Sequence, residues 1–381
     1  MKTQLNTVYI DFGNPYANIN NSGIERKKLA QIKELNKLGE VNRYTYTSRS
    51  KNRFLWNFLR RLPFFPSNLL YVVNIGSIIN VDIVYIRRSL IDGFVINLLK
   101  KIRKKNPKSL ILFEIPTYPY DQEMRGFFNY PLLLKEKWNR RKLYKYTNRI
   151  VLVASERSLI FKVPTLSILN GIDFSLTPLR KIKEINDNSV HGIIVGNFAY
   201  WHGLDRLIGG IKAYYKNSYY ERNFVLHVVG PTNKVITMDR EIEQLVKGGH
   251  LYFYGRLSFH DLEKIYDKVT IAFETFGLHR RSLGQISSSI KSREYGAKGL
   301  PIVSSSKIDY IPQNYPFFLQ VPEDDSPVNI QEVLGFYDRI YLGDKEKIAF
   351  KIREFAKDRC SSEAMMKPVL EFCQNYFGLD C

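Results

Sequence analysis

Short apolar runs alternate with segments whose apolar residues recur every three or four positions, and this alternation occurs twice along the chain. In the first half, Thr7–Phe12, Val41–Thr45, Val81–Ile86, Leu110–Ile115, Ile150–Val153 and Leu166–Leu169 read as strands. A turn-rich loop with Gly13, Asn14, Pro15 and Gly23 follows the first of them. A helix is predicted to open at Ile24 with Leu29, Ile32 and Leu35 on one inward face, and further helices over Leu90–Lys104 and Leu132–Tyr146. Strands that are apolar throughout are buried on both faces, so the expected sheet is parallel with helices on either side.

The segment Asn170-Gly171-Ile172-Asp173 ends the last of these strands, and the polar stretch 178–189 after it marks a boundary. The pattern then restarts. Strands are predicted at His191–Val195, Phe224–Val229, Leu251–Tyr254, Val269–Phe273 and Pro301–Ser304, and one helix carries Leu204, Leu207, Ile208 and Ile211. Other helices are predicted over Asp239–Val246, Ser258–Asp267 and Ile290–Ala297, and the tail from Asp344 reads as helical. The expected organisation is a first α/β domain over 1–175, a second over 176–358 and a helical tail over 359–381 that packs back on both. Ligands of open α/β sheets bind beyond the C-terminal strand ends, so two such sheets are expected to face each other across a ligand cleft.

Composition narrows the class. With 381 residues, 44% of them apolar, the chain has room for two cores. No apolar run approaches the roughly 18 residues that span a bilayer, and the start, MKTQLNTVYIDFG, predicts no signal peptide. Cys360, Cys373 and Cys381 match no metal spacing and fit a reducing compartment, so a cytoplasmic protein is expected. The formal charge is +20, and residues 1–175 carry 30 Lys/Arg against 12 Asp/Glu while residues 176–381 carry 27 against 25. An excess held on one half points to a polyanionic partner. No acidic residue lies between Glu40 and Asp82, where Arg53, Arg60 and Arg61 interleave with Phe54, Trp56 and Phe58. Arg53, Trp56, Arg60 and Arg61 are therefore candidate contacts to an anionic membrane surface or acceptor. Nucleic acid is not an expected partner, because no helix-turn-helix, zinc-finger or RNP-type pattern accompanies the charge.

No G-x-G-x-x-G or P-loop lysine pattern occurs, which disfavours hydride transfer and NTP hydrolysis. Four segments instead carry a family pattern: Asn21-Ser22-Gly23-Ile24-Glu25-Arg26, Asn170-Gly171-Ile172-Asp173, the run from Val195 to Leu204 (VGNFAYWHGL), and the run from Lys291 to Val303 (KSREYGAKGLPIV). In order and spacing they resemble glycosyltransferase family 4, over essentially the whole chain and most densely from 190 to 305. The resemblance implies a GT-B fold of two Rossmann-like domains, a nucleotide-sugar donor (a UDP-sugar by expectation) on the second domain and an acceptor on the first. It also implies a hexosyl transfer that retains configuration and requires no metal or other cofactor. A lipid-linked saccharide acceptor at the inner face of the cell membrane, in cell-surface polysaccharide synthesis, follows as the expected setting.

The residue chemistry agrees with a donor site. Glu294 can accept both ribose hydroxyls with its two carboxylate oxygens. Ser287, Ser288 and Ser289 precede its helix and can offer hydroxyls and N–H groups to a diphosphate at the positive helix end. Gly23, in the loop that opens the first helix, joins the candidate donor residues through the resemblance. The Arg and Lys with which the family grips the diphosphate fall here on Asn197 and His202, and the first glutamate of its Glu-x7-Glu pair falls on Ile286. Lys291, Arg256, Arg293 or a protonated His202 must then supply the positive charge, with Lys291 the first choice. In the first domain Glu114, at the end of an apolar strand, is a candidate for binding or deprotonating the acceptor, or a structural carboxylate. The missing cations leave a second possibility, a non-catalytic GT-B partner or chaperone of another transferase.

Overall fold

The computed structural model describes residues 4–13, 23–47, 52–62, 65, 67–71, 78–121, 127–153, 157–182, 188–216, 222–232, 239–281 and 286–379. The chain divides into two compact units, Met1–Leu169 with Met365–Cys381, and Asn170–Ala364. The division thus falls between Leu169 and Asn170, and the final residues belong with the first unit.

The first unit is built on a seven-stranded sheet of order β2-β1-β3-β4-β5-β7-β6. Its strands are β1 (Thr7–Phe12), β2 (Val41–Tyr46), β3 (Ile83–Arg87), β4 (Leu110–Ile115), β5 (Arg149–Val153), β6 (Leu159–Ile160) and β7 (Val163–Ile168). All pairings are parallel except β6 with β7. The helices are α1 (Gly23–Leu35), α2 (Arg53–Arg61), α3 (Gly93–Lys105) and α4 (Tyr130–Arg140). β1 and β4 occupy the apolar runs that predict them, and every residue of β4 is buried. α3 opens later than its apolar pattern, at Gly93, because the Asp92 carboxylate caps it by accepting from the Val95 N–H at 3.1 Å. The helix expected over Leu132–Tyr146 stops at Arg140, and a single tight turn follows at Leu143–Lys145.

The second unit holds six parallel strands in the order β10-β9-β8-β11-β13-β15. They are β8 (Ser189–Val195), β9 (Asn223–Val229), β10 (Leu251–Gly255), β11 (Ile271–Phe273), β13 (Ile302–Ser304) and β15 (Phe318–Gln320). The short strands β12 (Ile286–Ser287) and β14 (Lys307–Ile308) pair separately. Its helices are α5 (Leu204–Lys216), α6 (Arg240–Lys247), α7 (Phe259–Tyr266), α8 (Ile290–Ala297), α9 (Ile330–Ile340) and α10 (Lys345–Cys360). Leu204, Leu207, Ile208 and Ile211 pack as their spacing predicts, into a core with Val190, Ile194, Phe224 and Leu226. α8 lies tight against α10, since a Cβ on Gly296 would stand 2.6 Å from that of Ala356. The last helix, α11 (Ser362–Phe377), buries Met365, Met366, Val369 and Cys373 in the first unit's core.

α1 departs most from its sequence pattern. Leu29, expected to face inward, is 50% exposed, whereas Lys27, Lys28, Gln31 and Glu34 are buried. The reason lies in the strand ends beneath it. Asp11, Arg87 and Glu114 stand side by side across β1, β3 and β4. Glu114 is fully buried, and its Oε2 accepts from Tyr85 Oη and Gln31 Nε2, both at 2.8 Å. Its Oε1 faces Arg87 Nε at 3.0 Å and Lys27 Nζ at 3.6 Å. Asp11 pairs with Lys28 at 2.8 Å and Arg43 at 2.6 Å. Burial raises the proton affinity of Glu114, but Arg87, Lys27 and the two hydrogen bonds more than offset this and leave its pKa below the ordinary value. A carboxylate so saturated is a poor proton acceptor, so the sheet gives Glu114 a structural task and not that of an acceptor base.

Because that pKa is depressed, Glu114 contributes stability that is complete above its unfolded value of about 4.3 and is lost as pH falls through the lower folded value. Glu114→Gln should therefore flatten the acid side of the thermal-stability profile. At neutral pH it should cost about 3–5 kcal/mol, because Arg87 and Lys27 lose their buried counter-charge. Melting curves between pH 3 and 7 check both effects, and an unchanged acid limb would remove Glu114 from this role.

Candidate functional site

All six strands of the second sheet run in one direction, so the loops after β8, β9, β10, β11 and β13 leave from a common edge. The loop after β8 enters a tight turn, Tyr200–His202, and Gly203 follows with φ +68°. A Cβ on Gly203 would lie 2.6 Å from the Phe276 carbonyl carbon, and the Phe276 N–H donates to the His202 carbonyl at 2.9 Å. The β8 and β11 loops are thereby held together, and a side chain at position 203 would separate them.

The His202 imidazole is held in its neutral form. Its Nδ1 accepts from the Ala199 N–H at 2.9 Å, and burial followed by the charge of Lys291 lowers its pKa to about 4. The expectation that a protonated His202 replaces the missing family cation is corrected by this geometry. Asn197, at the other family cation position, is exposed in the same loop. Arg293 is corrected too. It is fully buried, donating to the Asn170 carbonyl at 3.0 Å and pairing with Asp309, so none of its charge faces solvent. Arg256 is exposed just after β10, with β9 and β8 between it and β11.

Lys291, in the first turn of α8, is the cation the fold brings to the centre of this edge. Its Nζ donates to the Glu274 carbonyl at 2.8 Å and to Thr275 Oγ1 at 3.2 Å, and stands 3.5 Å from Glu274 Oε1. Glu274, immediately after β11, is fully buried and was not singled out from the sequence. Burial raises its pKa, but Lys291 and then the Ser289, Thr275 and Ser287 hydroxyls outweigh burial and lower it, so it is ionised. Those hydroxyls lie alongside the carboxylate, yet neither of its oxygens completes a hydrogen bond of good geometry among the described residues. The signal available in the sequence was a single acid closing the apolar run Val269–Phe273.

Ser289 caps α8, its Oγ accepting from the Ser292 N–H at 3.2 Å. Ser288 is held by Asn170, whose Nδ2 donates to the Ser288 carbonyl at 2.5 Å. Glu294 is half-buried one turn into α8, between Lys291 and Lys298. A second cation that sequence reasoning missed is Arg281, 4.9 Å over the Trp201 ring and close enough to His202 to lower its pKa further. Lys291, Glu274, His202, Ser287 and Ser289 thus form one cluster at the strand ends, with Arg256 outside it. A cavity of about 340 Å³ beside Lys212, Tyr215 and His250 lies at the opposite, N-terminal end of β10, where Glu241 pairs with Lys212 and Lys216.

In the first unit, Gly23 begins α1, and Asn21 and Ser22 lie outside the described residues. α2 is amphipathic, and Trp56, expected as a surface contact, lies on its inward side. Trp56 turns inward against Tyr71, with Arg60 4.5 Å over its ring, and burial lowers the Arg60 pKa. Arg61 donates to Asn129 Oδ1 at 3.0 Å. The exposed side carries Phe54 (82%) and Phe58 (53%), and the Arg53 side chain lies outside the described residues. On α4, which contacts α2, Leu134 and Trp138 are exposed as well. Among the described residues no group of three or more His, Cys, Asp or Glu is placed to hold a metal, and no helix is long and apolar enough to cross a membrane.

The sequence matches no protein-family model and no curated protein. Solved structures match over nearly the full length. A glycosyltransferase from Rickettsia africae aligns over 98% of this chain and 100% of its own, with a TM-score of 0.61 and 13% identity. HepE from Anabaena, in complex with UDP, aligns over 97% and 100%, with a TM-score of 0.60 and 12% identity. The lipopolysaccharide outer core galactosyltransferase WaaB aligns over 98% and 99%, with a TM-score of 0.53 and 14% identity. The chain has the GT-B fold that these structures share.

The cluster makes one prediction that needs no ligand. In a Lys291→Met variant the His202 imidazole loses its largest cationic influence, so its pKa should rise from about 4. Imidazole NMR titration measures this, and an unshifted resonance would separate Lys291 from His202.

Proposed function

We propose that this protein is a nucleotide-sugar-dependent glycosyltransferase whose second unit holds the donor at the C-terminal edge of its sheet. The observation that carries the reading is the placement of Lys291: a first-turn helix cation, fastened by main chain and hydroxyl at the ends of parallel strands, with Glu294 on the next turn. Such an edge suits an anion that gains charge as its sugar departs. Glu294 takes the ribose hydroxyls, and Lys291 meets the diphosphate with α8's first turn behind it. The HepE complex makes UDP the nucleotide to try first. The sugar is a hexose transferred with retention, the departing phosphate takes the acceptor proton, and no metal takes part. A non-catalytic GT-B partner is the second reading, favoured by the neutral His202 and by Asn197 where the family carries cations. Hydrolysis or transfer of a UDP-sugar by the purified chain decides between them.

The acceptor belongs to the first unit in this reading and is lipid-linked, with the protein peripheral on the cytoplasmic face of the membrane in cell-surface polysaccharide synthesis. The support is charge together with shape: the basic excess lies in residues 1–175, and Phe54 and Phe58 are exposed beside α4. Each Lys or Arg near an anionic surface contributes about 1 kcal/mol, which salt screens.

Two expectations follow. Glu294→Ala should weaken UDP binding roughly tenfold or more by loss of charge-assisted hydrogen bonds, while Lys291→Ala should lower turnover more than donor affinity. Calorimetry and steady-state kinetics separate these, and donor affinity indifferent to Glu294→Ala would remove it from the site. The protein should also sediment with phosphatidylglycerol-containing vesicles and be released by salt. Phe54→Ser with Phe58→Ser should reduce that binding without altering turnover on a water-soluble acceptor. Vesicle binding unchanged by both substitutions would leave α2 without a membrane role.

A further inference from the structure

Glu274 has no place in the donor contacts described above, and its geometry is unusual for a buried acid. It is fully buried, so no sugar or nucleotide atom touches it in this arrangement. Of the three Lys291 N–H groups, one goes to the Glu274 carbonyl at 2.8 Å and one to Thr275 Oγ1 at 3.2 Å. The carboxylate stands farther off, at 3.5 Å. The lysine is therefore anchored by the main chain and a hydroxyl, and the carboxylate contributes mainly its charge. A buried carboxylate costs free energy wherever it is placed, and a backbone carbonyl with a threonine would hold a lysine without it.

We infer that Glu274 is a positioning residue acting through Lys291: its charge, set behind the ammonium, limits how tightly the strand-end site holds a nucleoside diphosphate and so speeds release of that product. The inference rests on the donor reading of the preceding subsection. UDP carries more negative charge than a UDP-sugar, because its terminal phosphate is no longer esterified. A lone lysine would hold the product more strongly than the donor, and turnover would stall on release. A fixed carboxylate behind the ammonium reduces the field that reaches the terminal phosphate. It does so more for UDP than for the donor, and hardly at all for uridine, which has no phosphate.

The test is a double-mutant cycle with Glu274→Gln and Lys291→Met, read by calorimetry with UDP and with uridine, and by steady-state turnover of a UDP-sugar. Glu274→Gln keeps the side-chain shape and removes the charge. It should bind UDP about tenfold more tightly, the scale of one unit charge acting over several Å at an effective dielectric constant of about 20. Uridine affinity should stay unchanged and kcat should fall without a rise in KM. In the Lys291→Met background the same change should add nothing, because burial without the lysine's charge leaves Glu274 protonated and uncharged. If Glu274→Gln does not fold, Glu274→Asp, which draws the charge back by one methylene, should tighten UDP about twofold. A folded variant whose UDP affinity is unchanged or weaker overturns the inference, as does an equal gain without Lys291. Wild-type protein that binds none of UDP, ADP and GDP overturns the donor reading itself.

Discussion

A carboxylate withdrawn from water at the end of a parallel strand must be met by cations or hydrogen-bond donors, because an unmatched buried charge costs several kcal/mol. Among the described residues the first unit contains two, Asp11 and Glu114, and the second contains Glu274, and each shapes the helix beside it. Glu114, on β4, is matched on both oxygens by Tyr85, Gln31, Arg87 and Lys27. Glu274, after β11, is matched chiefly by Lys291. The saturated carboxylate fixes a helix in place. The sparsely matched one leaves a cation with capacity to spare at a strand-end edge.

That difference organises the rest of the site. Lys291 is held by atoms that do not depend on its charge being neutralised, so its ammonium can serve a ligand without the fold coming apart. His202 is kept neutral by burial and by the same lysine, and its Nδ1 is occupied with the Ala199 N–H. The β8 loop therefore supplies shape and a hydrogen-bonding ring edge, where charge would have been expected, and positive charge is concentrated on α8 and on Arg281. Arg293, two residues on from Lys291 and so on another side of α8, is spent inside the unit on Asp309 and Asn170.

The strand framework was legible because buried parallel strands are apolar runs, and β1, β4 and α8 sit on the residues that predict them. α1 was read in part: Leu35 and Ile32 pack inward as their spacing predicts, but periodicity counts only apolar residues, and Lys27, Lys28 and Gln31 also turn inward to reach Asp11 and Glu114. α2 shows the converse failure: its aromatic residues look alike in sequence, and only packing against Tyr71 separates the inward Trp56 from the exposed Phe54 and Phe58. Lys291 could be read from its place before Glu294. Glu274 could not be paired with it, because they meet only when the β11 loop and the start of α8, well apart in sequence, are brought together.

The proposed donor site holds a nucleoside diphosphate at the C-terminal edge of the second sheet, with Lys291 facing the phosphates and Glu294 the ribose. A crystal structure of the full chain soaked with UDP tests it most directly. A phosphate oxygen should then lie about 2.7–2.9 Å from Lys291 Nζ, the spacing of a charge-assisted hydrogen bond, with the ribose hydroxyls on Glu294. UDP bound elsewhere, with Lys291 still turned to Glu274 and Thr275 alone, would contradict it.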